Sequence, residues 1–303
     1  MFRRALIVLA VALLAASCSS NDTLATVNGV AISKGDLIAL DPAYEEPLGV
    51  VTGETLRQNV ADLIILEITK QTAEAKYGVT IDSATIADRL ANPPDRWVNM
   101  LTVSGETPAA LQNRAISTLV VDGVSPQLIA SQYDGWAGVL EQRPDLVSME
   151  CVRHINVATE DEANDVLTRL QNGEDFIDLV GELSLDQTSV DGLLVPSGST
   201  CPNAFSSAPE ELAIAAATAE LNVPVGPIAL NGGYSIIRVE DRVMPVSADE
   251  LAADPMKYLD LAAARDAYLT WASDEVRAAN VSVTPELGTW SAVGFGISPP
   301  GGE

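Results

Sequence analysis

The stretch Cys151-Val152-Arg153-His154-Ile155-Asn156-Val157, followed by Asp161 to Gln171, Gly173, and Phe176 to Leu183, decides how this sequence folds. The first seven residues are rich in β-formers and predict a strand. The next two segments predict helices, with Ala163, Val166, Leu167 and Leu170 on the apolar face of one and Phe176, Leu179, Val180 and Leu183 on that of the other. Gly173 ends the first of them. A loop containing Gly and Ser runs from Ser184 to Thr200, Pro209 to Ala219 predicts a short helix, and Tyr234-Ser235-Ile236-Ile237-Arg238-Val239 predicts a closing strand.

Outward from this unit the pattern changes. Upstream, Leu24-Ala25-Thr26-Val27 and Val30-Ala31-Ile32 flank Asn28-Gly29, a two-residue hairpin signal between β-formers. A helix start is expected over Lys34 to Leu40, and Thr55 to Tyr77 predicts a long helix, because Leu56, Val60, Leu63, Ile64 and Ile68 recur at three- and four-residue steps and Gly78 follows. Helices are also expected at Ile86 and Leu90, closed by Pro93-Pro94, over Pro108 to Val121, and over Pro126 to Leu140; Arg143-Pro144-Asp145 reads as a linker. Downstream of Pro245, an amphipathic helix is expected at about Pro255 to Ala279, then Val281-Ser282-Val283, Trp290 and a Pro/Gly tail.

Composition narrows the function. The chain has 303 residues, enough for about two domains. At 47% apolar and 19% charged it is expected to fold rather than stay disordered. A formal charge of −25 opposes a phosphate backbone, so nucleic acid is not an expected partner. One histidine, His154, and three cysteines, Cys18, Cys151 and Cys201, leave no room for a multi-His or four-cysteine zinc centre, and no metal is expected. Any Ser-His-Asp triad has to be built on that one imidazole.

Residues 1–18 read as an address. Met1 to Arg4 are basic, Ala5 to Ser17 are uncharged and mostly apolar, and Ala16-Ser17 precede Cys18. Thirteen residues are too few to span a bilayer, which takes about 20. With Ser19, Ser20, Asn21 and Asp22 as a polar tether, the segment resembles a bacterial lipoprotein signal in which Cys18 is lipidated, although Ala15 stands where such signals usually carry Leu. The expected location is extracytoplasmic, with lipid anchoring to a bacterial cell membrane. Acyl chains, not a basic surface, make the attachment.

Five phrases fall in the order and spacing of parvulin-type (PpiC-like) prolyl isomerases. They are Arg153-His154-Ile155; Asp161-Glu162-Ala163 through Leu170; Gly173-Glu174-Asp175-Phe176; Glu182-Leu183-Ser184 with Asp186; and Gly233-Tyr234-Ser235-Ile236-Ile237. Val27-Asn28-Gly29 with Ile32 and Asp36-Leu37, ahead of long helices, is similar to the chaperone module of SurA- and PrsA-like foldases. The resemblance implies an α+β fold: a mainly helical split chaperone module with an inserted parvulin-like α/β domain around a small antiparallel sheet. Its expected parts are residues 19–148, the parvulin-like domain 149–243, and a C-terminal helix and strand in 244–303 that complete the module.

The chemistry this implies is spare. An X-Pro bond rotates over a barrier of about 18–20 kcal/mol, and an isomerase needs only to bind the twisted amide better than the planar forms. No cofactor is expected. By resemblance, His154 takes the first active-site histidine position, Asp186 the cysteine-or-aspartate position, Leu193 and Cys201 the aliphatic walls of a proline cup, and Phe205 its floor. The family's second histidine is Ser235 here, which removes the paired imidazoles, and the glycine-rich run before the cup reads Val190-Asp191-Gly192-Leu193-Leu194. Cys201 has a rival role: with Cys18 lipidated, Cys151 and Cys201 are the thiols left in an oxidising compartment, which suggests a disulfide. The expected partners are unfolded or nascent exported proteins and proline-containing peptides. The alternative reading is a non-catalytic holdase whose parvulin domain is a peptide-binding platform.

Overall fold

Asn28 and Gly29, with φ of 48° and 89°, turn the chain between strands β1 (Thr23–Val27) and β2 (Val30–Ser33). A two-residue hairpin needs this left-handed pair of angles. The structure is a computed structural model that describes residues 22–45, 53–188, 191–194, 201–202 and 208–301. Helices follow: α1 (Lys34–Leu40), α2 (Gly53–Tyr77), α3 (Ser83–Ala91), α4 (Val98–Leu101), α5 (Pro108–Gln132) and α6 (Trp136–Gln142). Next come β3 (Met149–Val157), α7 (Glu160–Gln171), α8 (Phe176–Leu183), α9 (Glu210–Thr218), β4 (Pro224–Leu230) and β5 (Gly233–Val243). The chain closes with α10 (Ala248–Ala253), α11 (Leu261–Ala278), β6 (Val281–Val283), β7 (Thr289–Ser291) and β8 (Gly296–Ser298). The fold class is α+β.

The chain divides into two units. One comprises Met1–Gln71, Ile86–Ile116 and Glu275–Glu303. Its three-stranded sheet runs β2-β1-β6, antiparallel throughout, with Ala25 opposite Val283 and Val27 opposite Val281. Val27, Ile32 and Leu37 pack with Val60, Ile64 and Ile68 of α2 and with Val276 and Leu287. Residues more than 200 positions apart thus share one core.

The other unit comprises Thr72–Thr85 and Ser117–Asp274. Its sheet runs β3-β5-β4, also antiparallel, with β5 central. On one face Ile155, Val157 and Ile236 pack with Val166 of α7 and Phe176, Leu179 and Val180 of α8. On the other, Val152, Ile237 and Val239 pack with Leu212, Ala213 and Ala216 of α9. Helix α7 starts where Thr159 and Glu162 cap it reciprocally, and α8 where Asp175 accepts from Ile177 and Asp178. A separate helical core gathers Ile129, Val139, Val147, Leu251, Leu259 and Ala264.

Four features depart from the sequence reading. The two helices expected over 108–140 are instead one, α5, continuing through Pro126, and a short α6; buried Val120, Val121, Val124 and Ile129 hold the helix across the missing donor. The helix expected from Pro255 begins at Leu261, where Asp260 accepts from Ala262 and Ala263. Strand β4 was not expected because its Pro224, Gly226 and Pro227 read as a loop, yet an outer strand tolerates them. The β7–β8 hairpin lies in what reads as a Pro/Gly tail.

Candidate functional site

Strand β3 carries the one histidine. His154 is buried at 7% exposure, and its backbone N–H donates to the Gly192 carbonyl at 2.9 Å. Leu194 N–H returns a bond to the Val152 carbonyl at 2.8 Å, and Leu193 bridges Arg153, so residues 191–194 lie along the outer edge of β3. Only glycine fits at 192. Its φ is +73°, and a Cβ there would sit 2.6 Å from the His154 carbonyl oxygen and 2.8 Å from Val180. Arg153 clasps the segment from beneath, 2.7 Å from Asp191 and 2.7 Å from Glu240.

His154 Nε2 lies 2.7 Å from Asp186 Oδ2. Hydrogen bonds from the Thr188 side chain and backbone hold the Asp186 carboxyl below the usual carboxylate range, and His154 adds to this while partial burial opposes it. Asp186 is therefore an anion at neutral pH, and the imidazole presents a proton to it on Nε2. Nδ1 of the ring is buried and, among the described residues, has no partner.

Ser235 is on β5, directly opposite Asn156, while His154 is opposite Ile237. Directly opposed residues in an antiparallel pair share a face, and residues two apart on a strand share it too. His154, Asn156 and Ser235 therefore occupy one face of the sheet, with His154 and Ser235 as diagonal neighbours. Ser235 is 0% exposed, and among the described residues its Oγ and Asn156 Oδ1 have no hydrogen-bond partner. A hydroxyl sealed in the central strand cannot reach an acyl carbon, so Asp186, His154 and Ser235 are not arranged as a nucleophilic triad.

The structure thus brings together His154, Asp186 and Ser235, with Leu193 on the neighbouring segment. Cys201 is joined to Cys151 in a disulfide, with Cα atoms 5.2 Å apart. Its sulfur is engaged with the start of β3. Phe205 and Cys18 lie outside the described residues. Among the described residues, no group of His, Cys, Asp or Glu is placed to hold a metal ion, and no helix is long and apolar enough to cross a membrane. The sequence reading passed over Asn156; period-two alternation from His154 was the signal that places it here.

A curated protein from Rickettsia conorii named as a parvulin-like PPIase is 28% identical over 149 residues, covering 46% of this chain and 49% of that protein. Nearly half of this chain is thus similar to that protein. The chain spans about half the length of that relative. Among solved structures, the peptidylprolyl isomerase PrsA of Bacillus cereus is similar with 18% identity and a TM-score of 0.39, over 90% of this chain and 95% of that one. A SurA-like chaperone of Campylobacter jejuni is similar with 19% identity and a TM-score of 0.26, over 86% of this chain and 100% of that one. No model of a known protein family matches the chain.

Proposed function

We propose that this chain is an extracytoplasmic folding factor that binds unfolded exported polypeptides and isomerises X-Pro bonds within them. The observation that carries this reading is the Asp186–His154 pair, fixed on one sheet face beside Ser235, with Leu193 drawn against the strand by Gly192. It supports a site that grips rather than cuts: polar groups for the carbonyl and an apolar wall for the proline ring, with no nucleophile to activate. Binding a twisted amide preferentially is all the reaction asks, each 1.4 kcal/mol of preference giving about tenfold in rate.

In this reading residues 149–243 are the parvulin-like domain, Leu193, Cys201 and Phe205 line the proline cup, and Cys18 carries the lipid that anchors the protein to a bacterial membrane. Residues 19–148 and 244–303 form the chaperone module; the pairing of β6 with β1 supports the return of the chain to its N-terminal part, while Ser117 to Asp274 group with the β3-β5-β4 sheet. A second reading, a holdase without turnover, is favoured by one observation: Ser235 stands where a second imidazole would complete the site.

The test is prolyl isomerisation of a proline-containing peptide by the chain. Catalysis above the spontaneous rate, reduced by His154→Ala, supports the isomerase. No catalysis, with suppressed aggregation of an unfolded client, supports the holdase. Failure of both refutes the folding role.

A further inference from the structure

A groove of about 390 Å³ opens where β3 ends and α7 begins, within the unit that holds the β3-β5-β4 sheet. Its walls are apolar, made by Val157, Val166, Leu183 and Leu185. Leu185 is 60% exposed, yet the chain around it is fixed. Ser184 Oγ accepts from the Asn156 N–H at 3.1 Å, Leu185 N–H donates to the Asn156 carbonyl at 2.7 Å, and Asp186 holds His154. Three successive residues are thus tied to β3 while an aliphatic side chain among them is left facing water, where it forgoes the gain of burial.

The rim is acidic, with Asp161, Glu162 and Asp165. Glu162 is committed, since it accepts from the N–H groups of Ala158 and Thr159 at 3.1 and 3.0 Å. Asp161 and Asp165 are exposed and one turn apart on the same face of α7, and like charges so placed repel. Among the described residues neither has a salt-bridge partner, and the one basic residue of α7, Arg169, is taken by Glu174 and Glu182. The helix dipole favours Asp161 in the first turn but gives little to Asp165, which lies beyond it.

We propose that this groove binds a lysine or arginine side chain of an unfolded polypeptide. Charge and shape choose this occupant together. A long basic side chain lays its apolar stem on an apolar surface and keeps its charged head in water; here the stem covers Leu183 and Leu185 and the head meets Asp161 and Asp165. An acidic segment is repelled, and a purely apolar one leaves the two carboxylates facing each other. The formal charge of −25 draws in the same clients. The proposal rests on the reading of this chain as a binder of unfolded polypeptides and names what it selects: segments with a basic residue near a proline, since Leu185 adjoins Asp186 in the chain.

The test uses two labelled peptides with one central proline, identical except that the residues flanking it are lysine in one and norleucine, the same stem without the charge, in the other. Fluorescence anisotropy with the whole chain at low salt should show the lysine peptide bound about three- to tenfold more tightly, the worth of two exposed charge contacts. Asp161→Asn with Asp165→Asn should erase the difference and leave the norleucine peptide bound as before, which also shows that the variant folds. Glu54→Gln with Asp62→Asn, an equal charge change in the other unit, should leave the difference intact. Leu185→Ser should weaken both peptides. Equal affinities in the unaltered chain, or a lysine preference that survives in Asp161→Asn with Asp165→Asn, overturn the proposal, as does unchanged binding of both peptides by Leu185→Ser. Binding of both peptides without preference sinks this groove and leaves the polypeptide-binding reading standing; binding of neither refutes both.

Discussion

Two three-stranded antiparallel sheets in this chain treat polar side chains in opposite ways. In β2-β1-β6 the buried positions are apolar, Ala25, Val27 and Ile32, and the polar side chains stay at the surface and find partners. Thr26 Oγ1 is 2.7 Å from Ser282 Oγ, Asn28 donates to Gln71 at 3.0 Å, and Asn28 Oδ1 accepts from Asn280 N–H at 3.2 Å. In β3-β5-β4 some polar side chains face inward, and among the described residues His154, Asn156, Ser235 and Glu150 each keep an unpartnered buried atom. The first sheet keeps its polar side chains paired. The second gives up some stability to hold a polar face, and a covalent staple stands beside that face.

The staple offers the strongest way to break the comparison. The Cys151–Cys201 bond closes a separation of 50 residues, and its loss should cost about 2–5 kcal/mol. Cys201→Ser should therefore lower the thermal transition of the unit holding β3-β5-β4, while the transition of the unit holding β2-β1-β6 stays in place. Equal shifts of both, followed by circular dichroism and tryptophan fluorescence, would erase the distinction.

A pH series sharpens it. Burial raises the Glu150 carboxyl to about 7, with Ser148 and Arg242 pulling the other way. The folded state therefore holds a proton that the unfolded state has released between the ordinary value of 4.5 and about 7, so stability falls as pH rises through that window. At about 1.4 kcal/mol per unit, the loss above pH 7 amounts to a few kcal/mol. Glu150→Gln should recover most of it at pH 8 and little below pH 4.5, since Arg242 keeps its bonds to the Ala216 and Ala219 carbonyls. Urea melts at both pH values check this. A gain independent of pH would show that charge burial is not the cause.

The smallest effects carry the cleanest contrast. Thr26→Val breaks a made hydrogen bond in the first sheet and should destabilise by about 0.5–1 kcal/mol. Ser235→Ala removes a hydroxyl that bonds nothing among the described residues and should be neutral or stabilising by up to about 1 kcal/mol. Opposite signs in urea denaturation support the comparison. A clear loss of stability in Ser235→Ala would place Ser235 among structural residues.

Most of the elements were legible because they rest on local rules. Asn28-Gly29 sets a hairpin, Gly78 stops α2, and the apolar stripes of α7 and α8 state which way those helices face. Boundaries failed where tertiary packing overrode local preference, as at Pro126, and where a capping aspartate, Asp260, outranked an apolar pattern. Strand β4 was hidden because its prolines forbid a central strand and say nothing against an outer one. The Asp186–His154 contact was not readable from spacing, since the two are 32 positions apart with two helices between; resemblance placed the two in one site. Asn156 escaped because resemblance draws attention to positions a family shares. Its place appears only when register puts it across from Ser235.

The way residues 191–194 lie along β3 has a consequence for strand pairing. That segment takes the outward-facing groups of His154 and Val152, so this side of the sheet offers them to no incoming chain. On the opposite side, β4 has prolines at 224 and 227, which carry no N–H to donate. Neither margin is an open template on which an extended polypeptide can add itself as a further strand. On the proposed folding role, this sheet is thereby kept from seeding β-pairing in the chains it meets.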